Sequence, residues 1–363
     1  MNLLAYKPNA RAVTERLRAL YERRATDRIF ATFFIPGTGV IAEFEKTHRE
    51  GECEYPDPAE RLDFWDRLLR ERPVVEDDSM PFAYLSEMDQ GLVGGILGAD
   101  VRFICNPGNG WISSMVAPLL KEWPEFSRLS FSTSHPWFQR YVKQLQLFVQ
   151  GSKNRFGICP FVLIDSLNFV FELLGATESY VSLYENPEMV RKAMDFGFEV
   201  NTAIQDAFFK TVPLYSGGTF DLGCQWMPGR TVMESVDPFH MASVACFEEW
   251  GRSQVERVFA RYDGGEVHIH ANGRHLLEAV STLKGLKAIM LGEDTGFPSS
   301  FSILDDLRSR TGDVPLVVSV GINEFAAKLD SHGLAGGVFY HVSGVKNVAE
   351  ANRYMEKVRA YRS

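Results

Sequence analysis

Eight short apolar, β-rich runs, separated by helix-patterned stretches, constrain this sequence more than any other feature. They are Arg28–Ile35, Pro81–Ser86, Phe156–Leu163, Pro213–Thr219, Glu266–His270, Lys287–Leu291, Pro315–Val320 and Gly336–Val342. Helical patterns occupy Met233–Arg261, Gly273–Thr282, Ser300–Arg310, Glu324–His332 and Asn347–Tyr361. Strands alternating with helices require crossover connections and so pair in parallel, and runs that are apolar nearly throughout are buried on both faces. The expected fold class is α/β, a single (β/α)8 barrel spanning residues 1–363. It begins with an N-terminal helix at Ala12–Arg24 and carries an insertion, Met88–Lys153, between the second and third strands, with a short strand at Val101–Cys105. Glu50–Pro58, acidic and proline-containing, reads as a mobile loop. No Gly-x-Gly-x-x-Gly follows an early strand, so a dinucleotide-binding open sheet has no support.

Composition removes whole classes of function. With 45% hydrophobic and 23% charged residues the chain can bury a large core. A net charge of -9 is the wrong sign for gripping nucleic acid or anionic membranes. No apolar run approaches the roughly 18 residues of a membrane-spanning helix. Five cysteines, an odd number without a Cys-x-x-Cys pair, argue against a disulfide framework. Together with an N-terminal segment rich in arginine and lacking an apolar signal core, they predict a reducing, cytoplasmic setting.

In a barrel of this kind the chemistry sits where strands end. The stretch Gly265-Glu266-Val267-His268-Ile269-His270 is the most informative. Residues two apart in a strand share a face, so His268 and His270 project together into the barrel while Val267 and Ile269 face the helices. Two such imidazoles can chelate one divalent metal, and a catalytic zinc takes a third protein ligand. His341, ending the last run, is the preferred third ligand; Cys224, Asp221 and Glu293 compete for the place. The pair can also act without metal, one ring on a carboxylate and the other on substrate.

Other candidates flank it. The loop Gly217-Gly218-Thr219-Phe220-Asp221, continuing through Cys224, Trp226 and Arg230, gathers glycines, an acid, an aromatic and a base. Asp221 is a candidate acid or base, and Trp226 and Arg230 are candidate substrate contacts. Arg274 can meet a substrate carboxylate or phosphate. Glu293 and Asp294 place two carboxylates at one strand end, where repulsion can raise one pKa; Glu293 is a second catalytic candidate, and Asp294 a substrate contact. His48, His135, His240 and His332 have no partner at chemical spacing and read as structural or exposed.

Taken in order, the Gly-Gly-Thr-x-Asp loop, the Ser235-Val236-Asp237-Pro238 helix entrance, the His268-x-His270 strand and the closing Gly336-Gly337-Val338-Phe339-Tyr340-His341 strand resemble the uroporphyrinogen decarboxylase superfamily. So does the helix start at Asn186-Pro187-Glu188-Met189-Val190. The likeness covers roughly residues 80–361, is strongest from 213 to 361, and implies a barrel with a cleft at its C-terminal face and a homodimer. True decarboxylases of that family carry an N-terminal arginine loop for substrate carboxylates. Here the corresponding Phe33-Phe34-Ile35-Pro36-Gly37-Thr38-Gly39-Val40 holds no arginine. Ser86-Glu87-Met88-Asp89 is similar to the region of the family's pyrrole-binding acid, which makes Glu87 a substrate-contact candidate.

The superfamily's other branch contains zinc methyltransferases that move a methyl group between a corrinoid protein and a thiol, with ligands arranged as His-x-Cys and a later Cys. His268-x-His270 falls where His-x-Cys would, and His341 lies close to the third position, with Ser343 and Gly344 nearer in strict register. The resemblance thus implies a metal-assisted methyltransferase with zinc as cofactor, a small methylated substrate and a corrinoid protein or thiol as partner. Two alternatives stand beside it: a metal-free carboxy-lyase using Asp221 or Glu87, and a small-molecule binder without catalysis.

Overall fold

The computed structural model describes residues 4–35, 39–72 and 74–363. Its centre is a six-stranded parallel sheet. In chain order we number the strands that contribute to the barrel-like ring β1 (Ile29–Phe33), β2 (Phe82–Tyr84), β3 (Gly157–Cys159), β4 (Val232–Ser235), β5 (Gly265–Ile269), β6 (Leu286–Leu291), β7 (Leu316–Gly321) and β8 (Val338–Ser343). The sheet runs β1-β8-β7-β6-β5-β4, and β2 pairs with β3 in a separate parallel ladder. One parallel bridge, Val162 to Met233, links the end of the β3 segment to β4. Helices Arg252–Arg261, Leu304–Thr311, Ile322–Asp330 and Val348–Ala360 cover the outside. The strands are buried on both faces because side chains packed on the inner face and helices on the outer one remove them from water.

Among the described residues no ladder joins β1 to β2. Two carboxylates do that work instead. Asp78 N donates to Ala31 O at 2.9 Å, the Asp78 Oδ2 accepts from Ala31 N at 3.1 Å, and the Asp77 Oδ2 accepts from Phe33 N at 2.9 Å. Each acid is neutralised: Asp77 by Lys7 and Arg72, Asp78 by Arg16. Burial alone would raise the pKa of Asp77, but Lys7, Arg72 and donors from Ser79 and Phe33 outweigh it and hold the group far below the usual carboxylate range.

Three expectations are corrected. Pro213–Thr219 is not a strand of the ring. Gly218–Asp221 instead pairs antiparallel with Gln225–Pro228 in a hairpin, and the fourth strand of the barrel-like ring is Val232–Ser235, overlapping the start of the stretch read as helix. Met233 and Glu234 favour helices as isolated residues, so propensity concealed a strand that tertiary pairing with β5 enforces. The segment Glu50–Pro58 is not wholly loop: Gly51–Cys53 pairs antiparallel with Arg102–Asn106, which pairs with Trp111–Met115. That small sheet lies largely in the insertion expected between β2 and β3, whose strand at Val101–Cys105 appears as Arg102–Asn106. With the flanking helices it forms a second apolar cluster around Phe44, Phe64, Phe103 and Ile112. The N-terminal helix is present as Ala10–Tyr21. Residues 36–38 of the loop after β1 lie outside the described residues.

Connectivity fixes which end of the ring the hairpin occupies. It joins the long helix Pro187–Thr211 to the start of β4, so it lies at the N-terminal ends of the strands. Its tip reaches inward: a Cβ on Gly223 would lie 2.4 Å from Met290 Sδ and 3.0 Å from Glu266 Oε2.

Candidate functional site

At the opposite, C-terminal end of the sheet, β5 delivers the two expected histidines. Val267 and Ile269 are fully buried, and the alternate positions Glu266 and His268 turn inward. The rings of His268 and His270 stand 4.5 Å apart, centroid to centroid. A third group joins them from β4, whose Ser235 is in register with His268. Two residues later Asp237 opens the short turn Asp237–Met241, and its carboxylate completes a trio whose ligand atoms all lie within 4.8 Å of one another. Gly292, following β6, keeps the space clear: a Cβ there would lie 3.0 Å from His268 Nε2 and 3.3 Å from His270 Nδ1.

The surroundings tune each group. Asp294 takes His270 Nδ1 at 3.0 Å and the Ala271 amide at 2.7 Å. The bond to His270 is the main reason the Asp294 pKa is lowered. An ionised Asp294 accepts a proton-bearing Nδ1 and so directs the lone pair of His270 to Nε2. Burial lowers the pKa of His268, with Asp237 partly opposing, which favours the neutral ring whose lone pair can bind a metal. His240, buried, brings Nδ1 to 3.6 Å from Asp237, and its ring lies 5.8 Å from that of His270. Burial depresses its pKa to about 4.

The other sequence candidates separate. His341 does not join the trio. Its Nε2 meets the Gly223 carbonyl at 2.9 Å, on β8, with β7 and β6 between it and β5, and burial lowers its pKa to about 4. Asp221 and Cys224 lie in the hairpin and so approach from the wrong end of the ring. There they form a buried group with Glu266: Cys224 Sγ donates to Glu266 Oε2 at 3.0 Å, and Asp221 Oδ1 accepts from the amides of Gly223 and Cys224 at 3.0 and 2.6 Å. Burial raises the pKa of Asp221 to about 7, and those of Glu266 and Cys224 well above their ordinary values.

Trp226 is fully buried, donating Nε1 to Tyr215 O at 2.9 Å, and Arg230 is half-exposed beside Asp263 at the strand beginnings. Both lie in or directly after the hairpin, away from the trio. Arg274 is buried, donating to Pro298 O at 2.6 Å and lying 3.6 Å from Glu293. Glu293 accepts from the Ser300 amide at 3.0 Å, so this acid and base secure the loop after β6. Asp294, expected to touch substrate, holds His270 instead. Glu87 is buried against Gln144 at 2.6 Å and Arg61 at 3.5 Å, its pKa raised by burial.

Asp237 and His240 are the residues that the sequence reading did not assign to the site. Their signal was an acid two residues beyond a short apolar run, in Val232-Met233-Glu234-Ser235-Val236-Asp237, visible only once that run is read as a strand.

Fold and site together define an α/β barrel-like protein with a strand-end cluster of one carboxylate and two imidazoles. Among solved structures, a methyltransferase from Methanosarcina mazei is similar over 98% of this chain and 99% of its own, at 11% identity and a TM-score of 0.58. That is a likeness of fold. No family model and no curated protein sequence matches the chain.

Proposed function

We propose that this chain is a metal-assisted methyltransferase of the uroporphyrinogen decarboxylase-like type, built on a (β/α)8 barrel, with zinc held by Asp237, His268 and His270. The observation carrying the proposal is that trio, gathered within 4.8 Å at the C-terminal strand ends. Its donor set suits the ion: two imidazoles and a carboxylate are ordinary zinc ligands, and three of them leave a position for substrate. Bound there, zinc would supply a Lewis acid that makes a thiol or alcohol available as its anion at neutral pH. The methyl group would come from a small methylated compound or a corrinoid protein.

The chain's own contribution is positional. Asp294 fixes the tautomer of His270, burial favours the neutral form of His268, and Gly292 leaves room beside both rings. The side chains of Asp237 and His270 are 45% and 38% exposed, so a bulky partner can reach the cluster from solvent. The full-length fold likeness to a methyltransferase supports the reading.

Protein produced without a histidine tag and supplied with zinc should contain one equivalent by elemental analysis. It should also transfer methyl groups from methylcobalamin to a small thiol. Absence of bound metal after supplementation overturns the proposal, as does undiminished transfer in a His268→Ala, His270→Ala variant.

A further inference from the structure

The unladdered seam between β1 and β2 has a cavity beside it. It encloses about 480 Å³ and is bounded by Thr32 and Phe34 from β1 and its exit, by Met80 to Phe82 leading into β2, and by Trp65 and Leu68 of the helix Pro58–Arg70. Its inner wall includes Met290 and His341. Cavities of this size hold small organic ligands. Met290 is in register with His268 on the neighbouring strand, so the cavity adjoins the metal-ligand trio without sharing any of its residues.

The wall defines what would fit. Two cations line the cavity, and each is bonded to Asp77. Lys7 Nζ donates to Asp77 Oδ1 at 2.9 Å and to the carbonyls of Val75 and Asp77 at 2.8 Å each; Arg72 donates to Asp77 Oδ2 and Phe33 O at 3.0 Å. Three donors are all that an ammonium has, so Lys7 has none left for an anion. The walls are otherwise largely aromatic and aliphatic. His341 offers an acceptor: a carbonyl can only accept, so His341 Nε2 carries the proton it gives to Gly223, and Nδ1 is left as an acceptor with no partner among the described residues. A buried neutral acceptor beside an apolar cavity discriminates between ligands that donate to it and those that cannot.

We infer that this cavity binds a largely apolar small molecule whose hydroxyl or N–H group is donated to His341 Nδ1. The site does not depend on a metal in the neighbouring cluster. It would seat the body of a molecule one strand away from His268.

Calorimetric titration of the full chain with 2-naphthol and 2-methoxynaphthalene tests this. Both are neutral; the first donates a hydrogen bond and the second cannot. We expect 2-naphthol to bind saturably at one site per chain. The methyl ether should bind about tenfold more weakly for want of one hydrogen bond. In His341→Phe the difference between the two neutral compounds should vanish, and Leu68→Trp, which fills the cavity, should weaken both at least about tenfold. The ordering on the unaltered protein needs no variant, so a misfolded substitution does not spare the inference. Non-saturable binding, equal affinity for the two neutral compounds, or unchanged affinity in a folded Leu68→Trp protein overturns it. A His268→Ala, His270→Ala protein that has lost metal but still binds 2-naphthol separates this site from the proposed catalytic one.

Discussion

Among the described residues, two groups of potential ligands each bring their donor atoms within 4.8 Å of one another. Asp237, His268 and His270 lie at the C-terminal strand ends; Asp221, Cys224 and Glu266 lie around the hairpin tip inside the ring. Proximity is the same, and readiness is opposite. In the inner group burial raises all three pKa values, and Asp221 raises that of Glu266 further while the hydrogen bond from Cys224 partly opposes, so Glu266 and Cys224 keep their protons. In the outer group burial lowers the pKa of His268 and leaves lone pairs free. Desolvation therefore keeps a carboxyl or thiol protonated and an imidazole unprotonated, and only the second outcome prepares a ligand. The inner group acts as a hydrogen-bonded plug; the outer one is suited to bind an ion.

Substitutions can break that contrast. The largest effect is expected at the outer group: His268→Ala with His270→Ala should reduce bound zinc to background and methyl transfer by at least about a thousandfold, with little change in melting temperature of the metal-free protein. Metal analysis paired with calorimetry checks it. Glu266→Ala should do the reverse, costing about 2–3 kcal/mol in urea unfolding by opening a cavity and stranding the Cys224 thiol, while zinc content holds. Asp294→Asn should leave the ligands in place but disturb the orientation and tautomer of His270, weakening zinc by about ten- to a hundredfold in a competition assay.

The smallest expected effect is a change in pH dependence. Asp221 has a folded pKa near 7 against an ordinary 3.8, so its contribution is complete below about pH 4 and is lost as pH rises toward 7. Asp221→Asn should flatten the stability profile across that interval, measured by urea unfolding at successive pH values.

Much of this was legible in the chain. The period-two placement of His268 and His270 follows from strand geometry alone, and β1, β2, β3 and β5 to β8 fall within or next to the apolar runs that announce them. What stayed hidden traces to one misplaced strand. Reading Pro213–Thr219 as the fourth strand puts Asp221, Trp226 and Arg230 at the reactive face; moving that strand to Val232–Ser235 sends them to the far end and brings Asp237 forward. The error arose because Gly218–Asp221 does pair, but with its own hairpin partner, and local propensity carries no information about which partner a strand finds. His341 misled for a related reason. Inward direction is readable from alternation, whereas distance across a ring is not.

The seam between β1 and β2 gives the ring a joint of a different material. Elsewhere the strands are fastened by peptide groups, which do not titrate; here Ala31 and Phe33 give their amide hydrogens to Asp78 and Asp77. The Asp77 pKa is depressed, so its grip is complete above about pH 4 and is released as pH falls below the ordinary carboxylate value. Amide hydrogen exchange makes this visible strand by strand. After correction for intrinsic rates, the protection of Phe33 should decline on acidification while Val338–Ser343, laddered on both sides, keeps its protection, so that acid parts the ring along one line as a latch opens on its hinge.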